Sequence, residues 1–161
     1  MAGIGAQAAI SLGSNLGDRR GHLEWAVEQL ATLLTDLRVS SFIETEPVDV
    51  PDEQPPYLNG AAVGECALAA AELIAWLLTL ERQRGRERAT PRAARTLDLD
   101  LILYGDLVID RPGLIVPHPR FRERRFVLDP LTEVAPKMKD PMTGKTIDEL
   151  RREIGAGTSA R

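Results

Sequence analysis

With 161 residues, 43% of them hydrophobic and 27% charged, the chain has the composition of one water-soluble domain long enough to bury a core. A net charge of −4 and a pI of about 5.3 argue against a nucleic-acid partner, and no segment approaches the roughly 20 apolar residues needed to cross a bilayer. The lone Cys66 excludes an internal disulfide, and Met1 to Gln7 carries no basic leader, so the expected compartment is the cytoplasm.

In chain order, Gln7 to Leu12 reads as a short buried strand ending in the turn and cap residues Gly13-Ser14-Asn15-Leu16-Gly17-Asp18. Leu23, Ala26, Val27, Leu30, Leu33 and Leu34 then recur at helical spacing, with His22 on the polar side. Val39 to Thr45 is expected as a strand. Glu46 to Pro56 holds four prolines and several acids, which excludes a regular element and suggests a working loop. Tyr57 to Ala67 resumes a strand, and Ala69 to Arg84 is a second helix with Leu73, Leu77 and Leu80 on one face. An arginine-rich connection, Gly85 to Ala94, leads into a strand that begins near Asp98. Beyond Gly105-Asp106 the pattern is irregular. A helix is expected from near Arg122 to before Pro136, turned or kinked at Pro130, and a short one over Ile147–Ile154. The order strand, helix, strand, strand, helix, strand predicts an α+β ferredoxin-like fold, a mainly antiparallel sheet with both long helices on one face and the other face left free for ligands. The whole chain, 1–161, reads as one domain with a core of about 8–154 and a disordered tail at 155–161.

The most informative stretch is Arg95-Thr96-Leu97-Asp98-Leu99-Asp100-Leu101-Ile102-Leu103-Tyr104-Gly105. Strand alternation puts Asp98 and Asp100 on one face, where like charges repel unless a cation lies between them. Magnesium suits such a pair, since it uses one or two carboxylates together with waters and substrate phosphates. Six arginines lie between Arg82 and Arg95 and four more between Arg120 and Arg125, a local complement for a polyanion such as a nucleoside triphosphate. His118 is held between Pro117 and Pro119. Tyr57 and Asn59 share one strand face, an aromatic plate beside an amide that is able to read a heterocycle edge. Each feature also has a plain structural reading: an exposed aspartate pair for solubility, solvated arginines, a structural histidine.

Ile10-Ser11-Leu12-Gly13-Ser14-Asn15-Leu16-Gly17-Asp18, Tyr57-Leu58-Asn59, the Arg95–Gly105 stretch, and Val116-Pro117-His118-Pro119-Arg120 through Arg124-Arg125-Phe126-Val127-Leu128 occur in order. Together they resemble the 6-hydroxymethyl-7,8-dihydropterin pyrophosphokinase family of folate biosynthesis, from about Ala8 to Ile154. The resemblance implies transfer of the β,γ-pyrophosphoryl group of ATP to the hydroxymethyl group of the pterin, with release of AMP. It also implies two Mg²⁺ ions, and a monomer with small-molecule substrates and neither nucleic-acid nor membrane partners is expected. By the same resemblance, Asp98 and Asp100 bind metal, and Arg86 and Arg95 reach the transferring phosphates; with Asp98 as the expected acceptor of the hydroxyl proton, Arg86, Arg95 and Asp98 make up the catalytic set. Glu81, Arg88, His118 and Arg124 lie on the ATP side; Thr45, Val48, Tyr57, Asn59 and Phe126 form the pterin pocket. The chain departs from the family pattern in reading Arg92-Ala93-Ala94-Arg95-Thr96, without the usual tryptophan, and in placing Glu46 where a second proline is common. Two other classes stand as alternatives: another Mg²⁺-dependent phospho- or nucleotidyltransferase, and a non-catalytic ferredoxin-like binding module.

Overall fold

A computed structural model describes residues 5–45, 55–85 and 96–155; Val48, Arg86, Arg88, Arg95 and the 156–161 tail lie outside the described residues. The described elements are β1 (Ala6–Ser14), α1 (Arg19–Leu33), β2 (Thr35–Val39), β3 (Ile43–Thr45), β4 (Tyr57–Cys66), α2 (Ala70–Gln83), β5 (Asp98–Tyr104), β6 (Ile109–Arg111), β7 (Leu114–Val116), α3 (Arg125–Val134) and α4 (Ile147–Glu153). The main sheet is antiparallel in the order β2-β4-β1-β5, with β3 also on β4, and β6 and β7 pair as a separate hairpin. The molecule is thus mixed α and β, with four α-helices among the described residues.

β1 lies between β4 and β5 and is buried on both faces from Ala8 onward, which is why its apolar and small residues do not alternate with charged ones. Ala8, Ile10 and Leu12 pack on one face with Leu23, Ala26 and Leu30 of α1 and Leu73, Leu77 and Leu80 of α2. On the opposite face Ala9, Ala61, Val63, Ile102 and Leu103 meet Phe126, Val127, Leu128 and Leu131 of α3 and Ile147 and Leu150 of α4. Each fully buried leucine contributes about 1.5–3 kcal/mol relative to an exposed one. The two long helices therefore share a face as expected, but the second face is not left free. α3 and α4 cover half of it, because the aromatic and aliphatic side chains of α3 need a partner and the sheet offers one.

The strand expected over Val39–Thr45 is divided in two. Ser40 Oγ accepts the Ala61 N–H at 2.9 Å and donates to the Ser41 carbonyl at 2.8 Å, while the Ser41 N–H and hydroxyl both donate to the Glu133 carboxylate of α3, at 2.9 and 3.0 Å. The Ser40 N–H still donates to the Ala61 carbonyl at 2.9 Å, but side-chain groups take the place of the other ladder partners at Ser40 and Ser41. Phe42 lies over Gly60, where a Cβ would fall 2.7 Å from the ring. The segment after Gly105, irregular by pattern, holds the β6–β7 hairpin, whose three-residue strands are too short to show a period. α3 starts at Arg125, later than expected, after a single 3₁₀ turn at Phe121–Glu123, and it carries Pro130 inside it. No helix among the described residues is long and apolar enough to cross a membrane.

Candidate active site

The half of the second face that α3 and α4 leave uncovered is where the sequence-predicted residues gather. On β4, Tyr57 and Asn59 alternate with Leu58, which packs among the long helices, so both project to the α3 side. On β5, Asp98 and Asp100 alternate in the same way with Leu99 and Leu101. The register aligns Asn59 with Gly13 and Gly13 with Asp98, a row across three strands whose middle member has no side chain. Two strand spacings separate Asn59 from Asp98, roughly 9–10 Å. One step along, Ser11 sits between Ala61 and Asp100.

At the β4 end of the row, Thr45 lies directly opposite Tyr57, and Asn59 Nδ2 donates to Thr45 Oγ1 at 2.5 Å; Asn59 and Thr45 are both buried. That bond fixes the plane of the amide and so the direction in which its donor–acceptor edge faces. Tyr57 and Phe126 are buried on this same side, and the Arg124 guanidinium lies over the Phe126 ring, 5.5 Å from its centroid.

At the β5 end, a cleft of about 280 Å³ is lined by Asp100, Glu81, His118, Leu99 and the hairpin residues Gly113 to Ile115, among others. The hairpin wall escaped sequence reading. His118 is held by its backbone N–H, which donates to the Ile102 carbonyl at 2.9 Å, and its Nδ1 accepts the Arg120 N–H at 3.2 Å. A neutral imidazole so bonded carries its proton on Nε2, a donor.

Glu81, expected on the nucleotide side, lines this cleft but also has a backbone role. It is 1% exposed, and its Oε2 accepts the Leu99 N–H at 2.7 Å. Among the described residues β5 is an edge strand, and a carboxylate from α2 supplies the acceptor for the outward N–H between the two aspartates. Replacing Glu81 by Ala orphans that buried N–H at a cost of about 1–3 kcal/mol, a fall in melting temperature of several degrees. Glu81→Gln keeps an acceptor oxygen and is expected to melt close to the parent. Equal melting of the alanine variant and the parent would remove this role.

Two clusters frame the site. Arg19 Nη1 donates to the Pro56 carbonyl at 2.8 Å and Nη2 to Glu44 Oε1 at 2.6 Å, and Asn15 Nδ2 donates to the Pro55 carbonyl at 3.4 Å. Below α2, Arg84 Nε donates to His22 Nδ1 at 3.1 Å, its guanidinium lies 4.8 Å from the centre of the Trp25 ring, and Thr96 Oγ1 donates to the Arg84 carbonyl at 2.7 Å. His22, on the polar side of α1, is half-buried: burial, reinforced by the Arg84 charge and opposed by Asp18, pushes its imidazole below the ordinary value. It stays neutral near pH 7 and serves as Arg84's acceptor.

Among the described residues no group of three or more His, Cys, Asp or Glu side chains is arranged to hold a metal by itself. Two half-exposed carboxylates on one strand face fit a different kind of site. They suit a hard cation that arrives with phosphate oxygens and keeps much of its water, as Mg²⁺ does.

Residues 9–136 match the family described as 7,8-dihydro-6-hydroxymethylpterin-pyrophosphokinase (HPPK). The chain is 39% identical over 149 residues to the 2-amino-4-hydroxy-6-hydroxymethyldihydropteridine pyrophosphokinase of Synechocystis, covering 91% of this chain and 75% of that one. It is 40% identical over 144 residues to the enzyme of the same name from Bacillus subtilis, covering 88% and 86%. In fold it is similar to a crystal structure of HPPK-DHPS in complex with substrates, with a TM-score of 0.73 at 12% identity. Wild-type Plasmodium falciparum HPPK-DHPS with pterin and p-hydroxybenzoate gives a TM-score of 0.67 at 15% identity. These likenesses cover 93% and 92% of this chain but only 43% of each solved chain. The chain belongs to the 7,8-dihydro-6-hydroxymethylpterin-pyrophosphokinase family and is a pyrophosphoryl-transferring enzyme of folate biosynthesis, a pterin diphosphokinase.

Proposed function

We propose that the Asn59–Gly13–Asp98 row is the axis of the reaction, with the pterin at the β4 end and the triphosphate of ATP at the β5 end. The supporting observation is the register itself, which gives a bonded amide edge and a carboxylate on one face with only a glycine between them. Asn59 and Thr45 read the edge of the pterin, Phe126 and Tyr57 take its two faces, and the backbone near Val48 completes the pocket. The spacing lets a bicyclic ring bound at Asn59 carry its one-carbon arm toward Asp98.

Asp98 and Asp100 would hold two Mg²⁺ ions, which when bound spread the charge of the triphosphate and orient it. The pterin hydroxyl oxygen bonds to the β-phosphorus, the bond from that phosphorus to the oxygen shared with the α-phosphate breaks in line, and AMP leaves. Asp98 receives the hydroxyl proton. Arg86 and Arg95 complement the transferring phosphates, a task of positioning and charge stabilisation. Glu81, Arg88, His118 and Arg124 serve the nucleotide side, supported for Glu81 and His118 by their shared cleft with Asp100.

The strand order, with β2 and β3 together as one edge, favours reading the core as ferredoxin-like, with residues 8–154 as one catalytic domain. A monomer is the assembly we propose. The product assay tests the reading: AMP is expected from ATP only when the reduced pterin is present. Pyrophosphate release in its place would favour a nucleotidyltransferase, and no turnover at all would favour a binding module.

A further inference from the structure

Arg19 and Arg20 open α1, and its first turn contains no acid. Cations at a helix N-terminus oppose the macrodipole. Both are nevertheless directed at the same neighbour. Arg20 lies over the Phe42 ring at 5.3 Å, just before β3. Arg19 donates with one nitrogen to Glu44 and with another to the Pro56 carbonyl. Glu44 immediately precedes Thr45, and Pro56 immediately precedes Tyr57. A single guanidinium therefore joins the residues adjoining two facing members of the pocket, at the point where β3 and β4 meet. Asn15 reinforces it through the Pro55 carbonyl.

Stability does not account for this placement. Glu44 is 58% exposed, and ion pairs with that much solvent are worth little. The rigid planar fork of arginine instead fixes two acceptors relative to each other, which an ammonium on a flexible stem does not do. We propose that Arg19 is a positioning residue of the pterin pocket: it sets the spacing between the Thr45 end of β3 and the Tyr57 end of β4, and so governs pterin affinity without touching ATP. This rests on the reading of Thr45, Tyr57 and Asn59 as the pterin side.

The test is steady-state kinetics of the full chain with Arg19→Met and Arg19→Lys, varying each substrate at saturation of the other and recording melting temperatures. Because small misplacement of a binding group carries large kinetic penalties, KM for the pterin is expected to rise about tenfold in Arg19→Met. KM for ATP and the melting temperature are expected to stay close to the parent. Arg19→Lys is expected to fall between, since it pairs with Glu44 but does not hold both acceptors in one plane. An unchanged pterin KM overturns the proposal. So does a rise in both KM values that tracks a loss of stability, which marks a merely structural arginine. Asn59→Ala, measured alongside, separates the two layers. If it raises pterin KM while Arg19→Met does not, the clasp alone fails; if it leaves pterin KM unchanged, the pocket assignment fails.

Discussion

Asp98→Ala and Asp100→Ala are each expected to lower AMP formation on the order of 10³-fold or more, with little change in folding. Several kcal/mol of charge stabilisation at a triphosphate depends on holding a divalent ion in place, and each 1.36 kcal/mol is tenfold in rate. Folding is expected to survive because neither side chain belongs to either core cluster, and because β5 pairs with β1 through backbone groups that an alanine retains. Removing one of two like charges on a strand face also relieves repulsion, so the melting temperature of each variant is expected within a few degrees of the parent. The measurements are AMP release and the Mg²⁺ dependence of binding of a fluorescent ATP analogue. Turnover within tenfold of the parent in both variants would sink the metal assignment. Asp98→Asn refines it: if this variant binds nucleotide with Mg²⁺ normally yet turns over slowly, Asp98 has a proton role beyond ligation; undiminished turnover excludes that role.

The aspartate pair was legible in the sequence because two charges in an apolar strand violate a local rule, and alternation alone put both on one face. Alternation likewise put Tyr57 and Asn59 on one face of β4, though nothing local marked them as a site. The order of strands and helices followed from short apolar runs bounded by turn residues and from leucines at helical spacing, a pattern clearest in α2. What the sequence hid depends on contacts distant in the chain. The break at residues 40–42 is made by Glu133, 92 residues after Ser41, and no local pattern announces it. The coverage of half the second face by α3 is a tertiary choice, as is the burial of Glu81 against an edge-strand N–H. Arg19 did leave a trace, two cations in the first turn of a helix, a placement that local electrostatics disfavours and that makes sense only once Glu44 and Pro56 are seen beside it.

The second large effect concerns stability and lies away from the chemistry. Asp140 is fully buried, and its carboxylate accepts two bonds from Arg122, at 2.6 and 2.9 Å, one from the Met142 N–H at 3.0 Å and one from Thr143 Oγ1 at 2.8 Å. Arg122 belongs to the 3₁₀ turn that leads to Arg124 and Phe126, and Asp140 opens the turn that leads to α4, so the pair ties the two approaches to the second face together. Burial alone would raise the carboxyl pKa; the bonds from Arg122, Thr143 and Met142, with the Arg122 charge, outweigh it and hold the group below its ordinary value. A carboxyl so depressed stabilises the fold above its unfolded pKa of about 3.9, and the contribution disappears as pH falls through the lower folded value. Asp140→Asn is therefore expected to cost about 3 kcal/mol at pH 7, the low end for breaking a buried pair because Arg122 keeps some access to water. For a chain of this size that is a melting temperature lower by roughly 6–12 °C. The gap between variant and parent is expected to narrow steadily below pH 4, as the parent's own carboxyl protonates. Urea unfolding at pH 7 and pH 3 checks both statements, and a gap of equal size at the two values would show that the ionised form is not what stabilises. Well below the melting point the variant is expected to turn over at a rate close to the parent's, since Asp140 faces Arg122 and the 140–145 turn rather than the Asn59–Gly13–Asp98 row.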